Sequence, residues 1–156
     1  MSLEKALADL ERKGFLDRVM ELEASTATAA QAAEALGVEP GRIAKTMSFL
    51  QEDKAVLILT EGTARIDNHK YKETFHVKAK MIPYDEVEAY VGHASGGVCP
   101  FGVNEGVAVY LDESLRKFAA LPVPAEAQVL PGHGDFSTFG QEAATNFYIK
   151  NALRNA

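Results

Sequence analysis

Residues 43–60 decide the fold of this chain, and they read IAKTMSFLQEDKAVLILT. The first half of the stretch alternates with period two, which predicts a strand at 43–50. One side of that strand carries Ile43, Lys45, Met47 and Phe49. After a polar turn at 51–54, the continuous apolar run at 55–60 is typical of a strand covered on both faces. The stretch therefore predicts a hairpin of two adjacent strands, with a lysine among apolar residues.

Periodicity and capping residues predict the elements on either side of the hairpin. An amphipathic helix covers the first dozen residues and ends near Gly14, and a second helical stretch follows at 15–23. Further helices are predicted at 29–36, 67–75, 83–90 and 141–153, the first of them from a capping box at Thr28 and Gln31. Strands are predicted at 76–81 and 107–111, with a helical turn opened by Asp112. These elements indicate one α/β domain at 1–156, of which 1–24 is an N-terminal helical segment.

The composition is that of an ordinary globular domain, with 156 residues of which 47% are hydrophobic and 24% charged. No stretch approaches the roughly twenty apolar residues of a membrane span, and the first residues lack the order of a secretory signal. We therefore expect a cytoplasmic protein that does not associate with membranes. Cys99 is the single cysteine and no Cys/His spacing matches a zinc site, so we expect no disulfide, metal or cofactor.

The formal net charge of -6 argues against a protein that coats nucleic acid without specificity. One stretch is nevertheless basic, because between residues 65 and 80 only Asp67 and Glu73 are acidic. The basic residues there are Arg65, Lys70, Lys72, Lys78 and Lys80, with His69 and His76 beside them. The stretch is either a solvated mixed face or a surface that meets nucleic-acid phosphates, and both interpretations stay open.

Lys45 is the first candidate for chemistry, since an ammonium on the apolar side of a sheet must reach water, a partner or a ligand. A carbonyl, carboxylate or phosphate of a ligand would satisfy it. Alternatively, the side chain extends to the sheet edge or pairs with an acid such as Asp112.

The second candidate is the long loop at 92–106, which holds five of the twelve glycines. Its central part, residues 96–102, reads GGVCPFG. Glycines let backbone approach a ligand closely, and such a loop offers N–H donors to a carbonyl oxygen or an oxyanion. The loop lacks the Gly-Lys-Ser/Thr of a phosphate-binding loop, which argues against nucleoside-triphosphate chemistry. A glycine-rich turn without function is the alternative.

Cys99 lies within this loop and could act as a nucleophile only if a base removed its proton. His93 and His133 are the candidate bases. We expect instead a small, partly buried thiol that lines the loop. His133 lies between two glycines in a second bend, where it either lines the same cavity or belongs to a surface turn. No serine-triad motif and no His-x-x-x-His pair occurs.

Three motifs in order resemble the YbaK/EbsC family, the prolyl-tRNA-synthetase-associated, aminoacyl-tRNA editing domains. They are GVEPGRIAKT at 37–46, GGVCPFG at 96–102 and VYLDESL at 109–115. The resemblance runs from about residue 25 to the C-terminus, and the order and separation of the motifs carry it. It implies a mixed, strongly curved, barrel-like sheet surrounded by helices. Two features depart from the family: the N-terminal helical segment, and the segment 122–127, which lacks a glycine turn.

The resemblance implies a deacylase that hydrolyses the ester of misacylated transfer RNA, either inserted in prolyl-tRNA synthetase or free and acting in trans. By position Lys45 matches the functional lysine of the family, and residues 96–100 match the Gly-x-x-x-Pro loop that holds the aminoacyl carbonyl. Catalysis would then rest on Lys45 and on the N–H groups of Gly96 and Gly97. Strand parity and adjacency add Met47, Phe49 and Phe101 as residues that shape the pocket. The other predicted substrate-binding residues are Val98, Cys99, Pro100, Gly102, Asp112 and His133.

The substrate implied in this way is proline transfer RNA that carries a small amino acid such as alanine or cysteine. The implied partners are the aminoacylated 3′ end and prolyl-tRNA synthetase, with no cofactor. Two other functions stay open. A non-catalytic module that binds aminoacyl-tRNA or a synthetase would show salt-dependent binding without cleavage. A hydrolase of another small ester or thioester would depend on Cys99, whereas we expect Cys99→Ala to keep most of its activity.

Overall fold

The predicted hairpin forms the centre of the fold in the computed structural model, which describes residues 2–22, 24–119, 128–129 and 137–138. Strand β1 (Ala44–Gln51) pairs antiparallel with β2 (Lys54–Glu61), and β2 pairs parallel with β3 (Ala108–Leu111). The sheet is therefore mixed, with the order β1-β2-β3. The described strands form an open sheet, so the barrel-like closure implied by the resemblance stays a prediction. Two short strands, β4 (Gln128–Val129) and β5 (Ser137–Thr138), pair antiparallel with each other.

The helices follow the capping signals of the sequence. The described α-helices are α1 (Ser2–Arg12), α2 (Ala29–Leu36), α3 (Asn68–Phe75), α4 (Val87–Val91) and α5 (Arg116–Ala119). Within the described residues, 3-10 helices lie at Leu16–Arg18, Pro40–Arg42 and Glu113–Leu115. At α2 the predicted capping box is confirmed, because the Thr28 hydroxyl accepts from the N–H of Gln31 at 3.2 Å and the Gln31 side chain accepts from the N–H of Thr28. No described helix has the length and apolar character that crossing a bilayer requires.

Three predicted elements differ from the structure. The helical stretch at 15–23 is wrong, since only a 3-10 turn forms there: Phe15 is buried but Leu16 and Met20 are exposed, so no apolar stripe holds a longer helix. The helix predicted at 83–90 begins only at Val87, because Pro83 first closes a turn with Glu86.

The strand predicted at 76–81 is also wrong, although the segment does reach the outer edge of β1. It forms one isolated bridge, Met81 to Phe49, flanked by two hydrogen bonds. These run from Leu50 N–H to Lys80 O at 2.8 Å and from Ile82 N–H to Ser48 O at 3.2 Å. Val77 and Met81 stay exposed, so little burial stabilises a longer pairing. The predictions for the rest of 120–156, including the helix at 141–153 and the departure from the family at 122–127, lie outside the described residues.

The two faces of the sheet are covered by different segments. On one face Ala55, Leu57 and Val109 of the strands pack with Ile82 and with two residues of α4. These two are Val87 and Val91, the first and last residues of that helix. On the other face the cluster is Phe49, Val56, Ile58 and Tyr71, the last from α3. Strand β2 thus contributes buried residues to both faces, as its continuous apolar run predicts.

Replacing Thr28 by alanine removes the side-chain acceptor at the start of α2, and we expect it to lower the free energy of unfolding by about 1 kcal/mol. Urea unfolding followed by circular dichroism measures this difference. Thr26→Ala is the matched control, because Thr26 is exposed and lies ahead of the cap. Equal stability of the two variants would show that the cap does not stabilise α2.

Candidate functional site

Lys45 lies on β1 where the strand alternation predicts it, on the same face as Met47 and Phe49, and its register partner is Thr60. Its ammonium donates to two carbonyl oxygens just beyond the end of β2, Gly62 O at 3.1 Å and Ala64 O at 2.6 Å. No carboxylate of the described residues forms an ion pair with it. The alternative pairing with Asp112 is therefore wrong: the Asp112 carboxylate instead accepts from the N–H of Ser114 at 2.9 Å.

A cavity of about 310 Å³ opens beside this ammonium. Its walls come from β1, from the segment that follows β2 and from the segment that bridges to β1. The lining residues are Lys45, Met47, Phe49, Ala64, Arg65, Ile66, Asn68, Ala79 and Met81. Two cationic side chains thus border a mostly apolar space, an arrangement suited to a small apolar group attached to a polar or anionic one.

Sequence reasoning singled out three of these lining residues and missed the other six. Strand parity supplies Lys45, Met47 and Phe49. The stretch from Ala64 to Asn68 reaches the cavity only because the chain turns back after β2. Ala79 and Met81 reach it through the isolated bridge to β1. The exposed basic residue Arg65, noted only as part of a charged stretch, was the one available signal for this wall.

The glycine-rich loop packs mainly on the opposite face of the sheet. Val98 contacts the cluster that contains Leu57 and Val109, and within the described structure none of residues 96–102 lines the cavity beside Lys45. The N–H of Gly97 donates to Ala94 O at 3.0 Å. The N–H of Gly96 has no partner within the described part of the chain, and Gly96 is exposed. A ligand can therefore use Gly96 directly, whereas Gly97 would first have to leave its turn.

The loop and the Lys45 region approach each other at the segment that precedes α2. A β-carbon at Gly96 would lie 3.8 Å from the β-carbon of Ala27. On the other side, a β-carbon at Gly62 would lie 3.3 Å from that of Ala29. Because Gly62 O also binds the Lys45 ammonium, residues 27–29 separate the two predicted parts of the site.

Cys99 and His93 meet inside the loop, where the Cys99 sulfur lies 3.7 Å from His93 Nε2. His93 is fully buried, and its Nε2 lies 2.6 Å from Phe101 O, so this nitrogen carries the proton and donates it to the carbonyl. It is therefore unable to accept the proton of the thiol. Burial raises the pKa of Cys99 above its ordinary 9.0, and the negative charge of Asp9 adds to this effect. This geometry agrees with a protonated, structural thiol.

The basic stretch lies on the surface beside the cavity. Arg65, Lys70, Lys72, Lys78 and Lys80 are all exposed, and none forms an ion pair with a described residue. The two acids among them are engaged: Asp67 caps α3, and hydrogen bonds from the N–H groups of Lys70 and His69 lower its pKa. Glu73 lies 3.4 Å from His69. The positive charge is thus available to an external anion. His133 lies outside the described residues.

Comparison with known proteins bears on what this arrangement does. Residues 23–127 match the model of the aminoacyl-tRNA editing domain family. The uncharacterized protein YwhH of Bacillus subtilis is 45% identical over 119 residues, which are 76% of each chain. EbsC of Enterococcus faecalis, named as a candidate Cys-tRNA(Pro)/Cys-tRNA(Cys) deacylase, is 31% identical over 100 residues, 63% of this chain and 61% of EbsC.

A solved structure described as a candidate trans-editing enzyme for prolyl-tRNA synthetase superposes with a TM-score of 0.67. It is 33% identical and covers 92% of this chain and 90% of its own. The resemblance carried by the lysine strand and the glycine loop is thereby confirmed. With the family match extending over both motifs, the chain belongs to the aminoacyl-tRNA editing domain family.

Proposed function

We propose that this chain is a trans-editing aminoacyl-tRNA deacylase, which hydrolyses the ester between the 3′ end of a transfer RNA and a wrongly attached amino acid. The observation that carries the proposal is the position of the Lys45 ammonium, fixed by two carbonyl groups at the border of a small apolar cavity. Membership of the editing family supplies the reaction class. The cavity and the ammonium supply a place for the two ends of an aminoacyl ester.

The amino-acid side chain enters the cavity, where Met47, Phe49 and Met81 limit its size. An ammonium has three N–H donors, and two of those on Lys45 are used by Gly62 O and Ala64 O. The third N–H donor of the ammonium then binds the ester carbonyl or the terminal ribose. Because both carbonyl partners fix the ammonium before substrate arrives, little reorganisation is needed when negative charge develops on the ester.

The Gly96 N–H, which has no partner within the described residues, is the donor that we assign to the oxyanion. Gly97 shapes the turn through its bond to Ala94 O, and gives a second donor only if that turn opens. The ester then lies over residues 27–29, which the loop and Gly62 approach from two sides. Val98, Cys99, Pro100, Phe101 and Gly102 hold this loop in shape, while Asp112 and His133 remain predicted substrate contacts.

The reaction needs no protein nucleophile. A water molecule, oriented by the site or by the 2′-hydroxyl of the substrate, attacks the carbonyl carbon. The bond between that carbon and the ribose oxygen breaks, and the ribose oxygen leaves with a proton that water supplies. The products are the free amino acid and transfer RNA with its terminal hydroxyl restored. The protonated Cys99 thiol agrees with this route, as does its neighbour His93, whose Nε2–H donates a hydrogen bond to Phe101 O.

The body of the transfer RNA meets the exposed basic residues beside the cavity, Arg65, Lys70, Lys72, Lys78 and Lys80. Their charge neutralises phosphates locally although the whole chain carries -6, so binding falls as salt is added. The substrate that we propose is proline transfer RNA carrying alanine or cysteine. The names of EbsC and of the solved relative favour this transfer RNA, and cysteine is the amino acid in the name of EbsC. Prolyl-tRNA synthetase in the cytoplasm is the corresponding partner.

Lys45→Ala tests the proposal, because it removes the ammonium while leaving a residue that a strand accepts. We expect the variant to lower kcat/KM for ester hydrolysis by about a hundredfold, the usual effect of losing one fixed donor to a developing charge. The assay is release of amino acid from transfer RNAs charged with alanine, cysteine, serine, threonine or proline. Lys54→Ala is the matched control, since it removes an exposed lysine from the other end of the same hairpin.

Full activity of Lys45→Ala would contradict the assignment of this site. If the wild-type chain binds charged transfer RNA in a salt-dependent way but releases no amino acid, the function is instead that of a non-catalytic binding module.

The pH dependence of Cys99 alkylation is a further prediction. Because burial raises the pKa of this thiol above 9.0, we expect the rate with iodoacetamide to reach half its maximum at a pH above 9.0 in the folded chain. In the unfolded chain the midpoint returns to the ordinary value. The raised pKa also means that the folded chain loses stability as the pH rises through this range. A midpoint below neutrality in the folded chain would indicate an activated, nucleophilic cysteine and would contradict the mechanism.

A further inference from the structure

Helix α1 lies before the residues that match the family, yet it contacts the glycine-rich loop at both ends. At the loop's beginning, the Lys5 ammonium donates to Gly92 O at 3.4 Å. At the loop's end, the Asp9 carboxylate accepts from the N–H of Gly102 at 3.0 Å. Between them the Lys13 ammonium lies 5.7 Å from the centre of the Phe101 ring. Two side chains of α1 and a third just after its end thus contact the loop that carries Gly96.

Gly102 is the point of closest approach between the loop and α1. A β-carbon at this position would collide with the carbonyl oxygen of Lys5 and would lie 3.0 Å from the nitrogen of Ala6. The residue also has a φ of +65°, which side chains other than glycine rarely adopt. The loop end therefore rests directly on the helix backbone, and only the Asp9 carboxylate is in position to accept its N–H among the described contacts.

The surroundings of Asp9 keep its carboxylate in place as the acceptor for the Gly102 N–H. The residue is 8% exposed, and its carboxylate is paired with Arg12 at 2.9 Å and with Lys13 at 2.8 Å. Burial alone would raise its pKa, but the hydrogen bonds from Lys13 and from the Gly102 N–H outweigh burial and lower it. The carboxylate is thus ionised at neutral pH, when its bond to Gly102 is strongest.

The contact continues from Gly102 into the centre of the loop. The carbonyl oxygen of Phe101, the preceding residue, accepts from the buried His93 at 2.6 Å and from the Cys99 thiol at 3.5 Å. After Gly102 the chain is fixed again, because Asn104 bonds to Val91 O and Ala89 O. Without Asp9, therefore, the end of the loop at 101–102 loses the side-chain acceptor that joins it to the rest of the structure.

We propose that Asp9 is a positioning residue for deacylation, which holds the loop 96–102 through Gly102 in the conformation that presents the Gly96 N–H to the ester. The expected fall in kcat rests on the proposed function, whereas the contact between Asp9 and the loop does not. Asp9 touches neither the Lys45 cavity nor the basic surface. Its loss therefore changes the rate of the chemical step and leaves substrate binding intact.

The test compares Asp9→Ala, Asp9→Asn and the control Glu11→Gln, which changes an exposed acid on the same helix. Cys99, the single cysteine, reports on the loop through its rate of alkylation by iodoacetamide at fixed pH. We expect Asp9→Ala to raise this rate about tenfold, the factor that one hydrogen bond to a charged group supports. Asp9→Asn keeps an oxygen acceptor for Gly102 but loses the charge that helps to raise the pKa of Cys99, so its rate rises only slightly and stays well below that of Asp9→Ala. Glu11→Gln stays close to wild type.

In the deacylation assay, kcat of Asp9→Ala falls about tenfold while KM stays within about twofold, and asparagine restores most of kcat. A general loss of structure would lower the fraction of active protein and so also lower apparent kcat at unchanged KM, but it would lower the unfolding midpoint as well. The unfolding midpoint of each variant is therefore measured by circular dichroism, and we expect it to stay close to that of wild type at the assay temperature. Unchanged thiol reactivity in Asp9→Ala, or an asparagine variant as reactive as the alanine variant, overturns the proposal.

Two measurements separate this inference from the proposed function. If wild-type protein releases no amino acid, the proposed function fails, but the alkylation rates still decide whether Asp9 holds the loop. If Asp9→Ala does not fold, hydrogen exchange on the wild-type chain decides the same point. The amide of Gly102 should then exchange slowly, because it donates to a buried carboxylate. Exchange at the rate of an unstructured peptide would overturn the proposal.

Discussion

The register of the β1–β2 hairpin is the constraint on which the rest of this structure depends. The pairing of Gln51 with Lys54 at the turn determines the partner of every residue along both strands. A slip by one residue would move Lys45, Met47 and Phe49 to the other face together. The same register buries β2 on both sides, which gives the sheet its stability. One pairing therefore sets both the core and the face on which the candidate site lies.

The two parts of the candidate site lie on opposite faces of the sheet. Lys45 and its cavity belong to one face, and the glycine-rich loop packs on the other. Residues 27–29 lie between them, with Ala27 beside Gly96 and Ala29 beside Gly62. In the proposed site, an ester placed over these residues is bound by the fixed Lys45 ammonium and by the Gly96 N–H. Helix α1 then completes the arrangement, because it supports the loop from outside the sheet.

Local signals in the sequence predicted the parts of the fold that local chemistry determines. Alternation placed Lys45, Met47 and Phe49 on one face, and the capping box at Thr28 marked the start of α2. Sequence failed where the outcome depends on distant contacts. The segment 76–81 has the alternation of a strand but forms only one bridge with β1, between Met81 and Phe49. The acceptor for Gly102 is Asp9, more than ninety residues away, and no spacing rule connects the two.

The most direct test of the account is a structure of the chain bound to an adenosine that carries alanine through a stable amide at its 3′ position. The account predicts that the alanyl methyl lies in the cavity between Met47 and Phe49. It also predicts the carbonyl oxygen within hydrogen-bond distance of the Lys45 ammonium or the Gly96 N–H. An analogue bound elsewhere, with neither group in contact, would contradict the assignment of this cavity as the place where the aminoacyl ester is hydrolysed.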